Sequence, residues 1–202
     1  MMDWIEDIEA LHALYGTPSQ PAVIKVTPHL TQSYADWIAR SRFCILSTVG
    51  PEGTDASPRG DDGPVVTILD SRTLALPDWR GNDRIDSLRN ILRDPRVSLM
   101  FVIPGSNNVI RINGTARLTA DTALRQSFAR GEALPRTVAV ITVAEVYSQC
   151  ARAMLRARLW SGQDESAGLP SVGDMLRDVT QGAFDGAGYD ANWPGRAAQT
   201  MW

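Results

Sequence analysis

Residues 57–78, SPRGDDGPVVTILDSRTLALPD, decide the fold. The β-branched run PVVTILD (64–70) meets TLALPD (73–78) across Ser71 and Arg72 alone, a link that suits two antiparallel strands. Just upstream, an arginine and two aspartates stand at the mouth of this pair. Gly60, Asp61, Asp62 and Gly63 suit a tight loop, and Pro64 stops any helix from running on. A turn alone leaves Arg59 unexplained.

Outward from this stretch most signals are β. FCILSTV (43–49) reads as a compact strand that follows a helix over TQSYADWIARSR (31–42), capped by Thr31 or Ser33, and GPEG (50–53) reads as a turn. VSLMFVIP (97–104), VIRINGTARLTA (109–120) and TVAVITVAEV (137–146) follow. Six or seven strands with only short helices between them predict a mainly β protein with flanking helices. The expected architecture is an antiparallel split barrel rather than a doubly wound parallel sheet. In 109–118 the side chains alternate, so Ile110, Ile112, Gly114, Ala116 and Leu118 face the core while Arg111, Asn113, Thr115 and Arg117 face away. Taken alone, that polar face is an ordinary solvated sheet surface. TVAVITVAEV is apolar on both faces, as for a strand packed on each side.

Three segments are expected. Residues 1–27 carry a helix marked by Trp4, Ile5, Ile8, Leu11 and Leu14, which Gly16 and Pro18 end, and it is read as a packing appendage. Residues 28–160 form the barrel domain. Residues 161–202, rich in Gly, Ala and Asp, are read as a loosely ordered arm or a contact with a partner subunit.

The 202 residues, 44% hydrophobic and 21% charged, suit one globular domain with a sizeable core. The apolar runs fall far short of the ~20 residues that cross a bilayer. The opening MMDWIEDIEA is acidic and amphipathic rather than basic and apolar, so a cytoplasmic protein without a secretory leader is expected. A net charge of −3 offers no general basic field for nucleic acid. The only histidines, His12 and His29, lie near the start, which disfavours a histidine triad, a zinc site or a haem ligand in the body of the chain. Cys44 and Cys150 form no metal-ligand spacing and are read as two buried, reduced thiols.

The stretch PDWRGNDRIDSLRNILRDP (77–95) carries the chemistry. Ile85, Leu88, Ile91 and Leu92 mark a helix that starts at Asn82 or Asp83 and stops before Pro95. Arg84 then falls in its first turn, where a cation opposes the helix dipole unless an anion binds beside it. Guanidinium forks grip two phosphate oxygens at once and stay charged at any physiological pH. Arg59, Arg84 and Arg111 come from three segments and meet only if the fold brings them into one pocket. Each also has a plainer reading: Arg59 paired with Asp61, Arg84 with an aspartate of its own helix, and Arg111 at the surface.

Taken in order, SPRGD (57–61), PDWRGNDR (77–84), VIRINGTARL (109–118) and CARAMLRARLW (150–160) resemble the FMN-binding split barrels of the pyridoxamine 5'-phosphate oxidase-like flavoproteins, and more closely an uncharacterised bacterial branch of them. The resemblance runs from about residue 28 to residue 160. It implies that Arg59 turns toward the flavin phosphate, while Gly60, Asp61, Val65 and Val66 border the ring. It implies that Pro77, Asp78, Trp79, Gly81, Asn82 and Arg84 wrap the ribityl phosphate, with Arg111 and Asn113 nearby. Arg152, Arg156 and Trp160 would approach the flavin of the other subunit, since these barrels hold two flavins at a homodimer interface. Two departures stand out: Trp79 replaces the branch's usual arginine, and Ala157 and Arg158 replace a more usual serine.

The activity so implied is FMN-dependent oxidoreduction of a small molecule, with NADH or NADPH as a candidate donor. A flavin carrier or sensor without turnover is the alternative from another class, and deazaflavin or haem are the alternative cofactors. The absence of a central histidine weighs against haem, and the full phosphate-binding pattern favours FMN. The vitamin B6 oxidases carry a C-terminal Arg-x-His that holds the substrate phosphate. Here no histidine follows His29, which disfavours that reaction. No residue is singled out as catalytic; Asp61 and Asp62 are the nearest polar candidates, and loop solvation or pairing with Arg59 explains them as well.

Overall fold

The computed structural model describes residues 2–81 and 83–201. Seven strands form one antiparallel sheet: β1 (Phe43–Gly50), β2 (Gly53–Gly60), β3 (Thr67–Asp70), β4 (Thr73–Asp78), β5 (Arg96–Val102), β6 (Val109–Thr119) and β7 (Thr137–Gln149). Their order is β2-β1-β5-β6-β7-β4-β3, so the sheet is open, with β2 and β3 as its edges.

Those two edges are consecutive in the chain. Flat, seven strands would separate them by about 29 Å, six gaps of ~4.8 Å. The link from Gly60 to Thr67 reaches at most about 25 Å even fully extended. The sheet therefore curls, and residues 61–66 cross its opening. Backbone bonds fix the crossing: Asp61 N–H donates to the Arg42 carbonyl at 3.0 Å and Val65 N–H to the Ser41 carbonyl at 2.8 Å. Val65 and Val66 are 2% exposed, yet they belong to this crossing and not to a strand. The expected strand 64–70 thus shortens to Thr67–Asp70.

Across the curl runs a row of apolar residues in register, Leu46 against Leu99, Leu99 against Ile112, and Ile112 against Val146. All four are buried, Ile112 as the alternation in β6 predicts. A bulge shifts the β6–β7 register between Asn113 and Gly114. It returns Val146 to the inner face after Ile141 and Val143, which is why a strict two-residue period fails in β7. Gly114 makes the bulge feasible, because a Cβ there would stand 2.1 Å from the Thr142 carbonyl oxygen.

Edge strand β2 was not legible as a strand. Its half-buried residues are Asp55, Ser57 and Arg59, so no apolar alternation marks it. Pro58, which has no N–H to give, is tolerated there because an edge strand need not pair on both sides.

Helix α4 (Asp86–Arg93) starts later than its apolar spacing predicts. Asp83 (φ 59) and Ile85 (φ 53) are both left-handed, so Asp83 does not cap the helix and Arg84 lies before its first turn. Asn82 lies outside the described residues. The helix sits on β1 and β2 through polar contacts: Asn90 donates to Thr48 Oγ1 at 3.1 Å, and Ser87 donates to Asp55.

The remaining helices are α1 (Ile8–Ala13), α2 (Gln20–Ile24), α3 (Gln32–Ile38), α5 (Thr122–Gln126), α6 (Arg152–Arg156), α7 (Val172–Val179) and α8 (Gly186–Thr200). Thr31 caps α3 and Asp7 caps α1, which buries none of its residues. The C-terminal segment is a helical pair rather than a loose arm. Ser171 and Asp174 form a reciprocal capping box, and a Cβ on Gly173 would stand 2.2 Å from the Gly186 carbonyl oxygen. Backbone approach and polar caps thus replace the missing apolar core, which a reading by hydrophobicity overlooks. No described helix is long and apolar enough to cross a membrane.

Candidate functional site

A cleft of about 550 Å³ opens where the crossing segment, the end of β4 and the start of β7 meet. Its wall includes Arg59, Gly60, Asp61 and Val65 from the β2 side, and Pro77, Asp78, Trp79, Arg80 and Gly81 from the β4 side. Arg136 and Thr137 add the edge of β7, and Thr137 stands opposite Asp78 in the β4–β7 register. The size suits a small organic ligand or cofactor, typically ~300–1,000 Å³.

Each cleft carboxylate is engaged. Arg59 pairs with Asp78 rather than with Asp61, through a bond that bridges β2 and β4 with both side chains under one-fifth exposed. Asp61, 4% exposed at its side chain, accepts from the Trp79 indole at 2.9 Å, from Arg130 at 2.6 Å and from the Gly63 N–H at 3.3 Å. Asp83 pairs with Arg136 at 2.7 Å, both well exposed. None of these carboxylates stands uncommitted as an acid or base. Asp62 points outward to Arg42 at 3.5 Å.

Two donors in the same wall are left over. Arg59 Nε and Thr137 Oγ1 are buried without a hydrogen-bond partner among the described residues. Such orphans cost stability until a hydrogen-bond partner reaches them. Arg80 also has no hydrogen bond or ion pair among the described residues. The wall therefore carries unmatched donors and positive charge, and no unmatched carboxylate.

The three arginines expected to converge do not do so within one chain. Arg84 lines a second, polar cleft with Glu52, Asp55, Arg89 and Arg93, and pairs with Asp86 at 2.8 Å. The left-handed backbone at Asp83 and Ile85, on either side of Arg84, is what the helix-capping reading did not anticipate. Arg111 lies over the Tyr147 ring, 5.3 Å from its centroid, with Lys25 at 5.8 Å. Asn113 donates to Glu145 at 2.6 Å on the outer face of the sheet. Val66 is buried beside the cleft, outside its wall. Trp160 donates to the Ser106 carbonyl at 2.8 Å, and Arg156 Nε to the Arg152 carbonyl at 3.3 Å, so both belong to a different surface of the chain.

Sequence reasoning missed Arg80, Arg130, Arg136 and Thr137. Arg80 sits inside the 77–84 motif itself; the others join the site only through β7 and the loop before it. The two cysteines also differ. Burial pushes the Cys44 thiol up to about 12, against a smaller opposing pull from Arg59. Cys150, expected to be buried, is exposed, and the Arg152 amide N–H lowers its pKa from the ordinary thiol value.

The fold is thus an open, curled antiparallel sheet of split-barrel type with a donor-rich cleft at its mouth. Residues 30–150 match the pyridoxamine 5'-phosphate oxidase family model, and the chain belongs to that family. No curated protein matches it. Among solved structures it is similar to HupZ of group A Streptococcus, at 22% identity over 59% of this chain and 93% of that one, TM-score 0.48. It is similar also to an FMN-binding protein of Syntrophomonas wolfei (13% identity, 57% and 80% covered, TM-score 0.41). An FAD-binding protein of Mesorhizobium loti gives 15% identity, 61% and 96% covered, and a TM-score of 0.42.

Proposed function

We propose that this chain is an FMN-binding flavoprotein that acts as a homodimer and serves as an oxidoreductase on a small molecule. The observation that carries this reading is the pair of buried, unpartnered donors, Arg59 Nε and Thr137 Oγ1, on the wall of one ligand-sized cleft. A ligand rich in acceptor oxygens satisfies both, and a phosphate ester supplies them together with the negative charge that Arg80 lacks. Arg59, Arg80 and Thr137 would hold the phosphate and ribityl oxygens, while Val65, Leu76 and Trp79 supply apolar wall. Bound there, a flavin supplies hydride or electron transfer with its own ring. The protein's residues position and enclose it. Arg156 and Trp160 take no part in the cleft of their own chain, which fits their serving the cleft of a second copy.

The pairing of Asp61, Asp78 and Asp83 favours one other reading, a flavin carrier without turnover, because it leaves the cleft no free proton shuttle. The visible spectrum of the purified protein, with mass analysis of the ligand it releases, tests the cofactor: FMN is expected, and deazaflavin or no chromophore overturns that part. Anaerobic bleaching by NADH or NADPH supports the oxidoreductase, and a flavin that stays oxidised with both supports the carrier. A monomer in solution overturns the dimer.

A further inference from the structure

We infer that Trp79 is the aromatic wall against which this cleft holds a planar ring, and that Arg130 acts through Asp61 as the residue that positions it. The inference rests on the flavin reading above and adds to it a three-residue relay that no sequence motif marks.

Trp79 stands in the cleft wall directly after β4, between Asp78 and Arg80. A side chain so placed at the end of a strand has several open rotamers. Here its indole N–H is tied to Asp61 Oδ2 at 2.9 Å, which fixes one of them. Asp61 in turn is fixed by donors on its other oxygen, the Arg130 guanidinium at 2.6 Å and the Gly63 N–H at 3.3 Å, and by its own backbone bond to Arg42. A carboxylate only 4% exposed needs such partners to stay in place. Arg130 comes from 69 residues further along, in the loop before β7, and is itself close to half exposed. Gly63 lies against it, since a Cβ there would stand 3.4 Å from Arg130 Nη2. The relay thus ties the crossing segment, the end of β4 and the β7 loop to one indole. An electron-rich indole against an electron-poor isoalloxazine quenches flavin fluorescence and adds stacking affinity.

The test compares wild type with Trp79→Phe, Trp79→Leu, Arg130→Ala and Arg130→Lys. The probes are FMN titration, bound-flavin fluorescence and the indole N–H resonances of the six tryptophans. Trp79→Phe identifies the Trp79 resonance by its loss. Arg130→Ala is expected to shift that resonance upfield and brighten bound FMN, with Arg130→Lys restoring both in part. Trp79→Leu is expected to weaken FMN binding about tenfold, and Trp79→Phe by less than about threefold. An indole resonance unmoved by Arg130→Ala overturns the relay whether or not flavin binds. Normal FMN affinity and fluorescence in Trp79→Leu overturn the aromatic wall while leaving the flavin reading intact, and absence of FMN binding by wild type overturns that reading first and the wall with it.

Discussion

Replacing Arg59 by Met removes the guanidinium at the mouth of the barrel and leaves Asp78 behind. Breaking a fully buried ion pair by deleting one partner costs about 3–5 kcal/mol, because the other charge stays desolvated. Arg59 and Asp78 are 19% and 17% exposed at their side chains, so water screens the pair in part. A loss of about 2–3 kcal/mol is the corresponding expectation. For a domain of this size each kcal/mol moves Tm by roughly 2–4 °C, so flavin-free Arg59→Met should melt about 4–12 °C below wild type. The double variant Arg59→Met/Asp78→Asn removes both charges and should recover most of that loss. Flavin affinity should not recover. Loss of a charged hydrogen bond to phosphate is worth about 1.5–3 kcal/mol, or roughly 10–150-fold in Kd, in the single and the double variant alike. Thermal unfolding of the apoprotein and fluorescence titration with FMN read the two effects separately. Wild-type FMN affinity in the double variant would show that Arg59 does not hold the cofactor, and an unchanged Tm in the single variant would refute the stabilising role of the pair that bridges β2 and β4.

Gly114→Ala drives a Cβ into the Thr142 carbonyl, with backbone on both sides and no flexible side chain to yield. It should cost about 3 kcal/mol or more by thermal unfolding, whereas Gly16→Ala, in open space, should change Tm by less than about 2 °C. Arg80→Ala should weaken FMN binding about tenfold, while Arg84→Ala, which lies in the second cleft beside Asp86, should stay within about twofold by the same titration. Iodoacetamide at pH 7.5 should label one thiol per chain, and Cys150→Ser should abolish the labelling. The sign follows from the shifts: a lowered pKa leaves more Cys150 as thiolate at that pH, whereas Cys44, raised to about 12, stays protonated and buried. Rapid labelling of a second thiol in folded protein would contradict this.

Local pattern carried far in this chain. Alternation in β6 named its inner residues, the two-residue link placed β3 beside β4, and the choice of Thr31 or Ser33 bracketed the start of α3, which Thr31 caps, because each depends on neighbours a few residues apart. The residues of the motifs around Arg59, Asp78 and Trp79 lie on the wall of one cleft. What stayed hidden depends on contacts between distant segments. Strand β2 turns Asp55, Ser57 and Arg59 inward, so its edge position shows only once β1 and α4 are in place. The start of α4 moved because left-handed residues at 83 and 85 override a good capping pattern. The C-terminal helices hold together through glycine backbones and caps rather than apolar area. The distant partners of Asp61 and Asp78 were likewise decided by the curl of the sheet, which brings together residues 18 to 69 positions apart. A sequence sets which residues are able to pair; only the curling of the open sheet, with its limits on reach and its cost for unpaired charge, selects the ones that do.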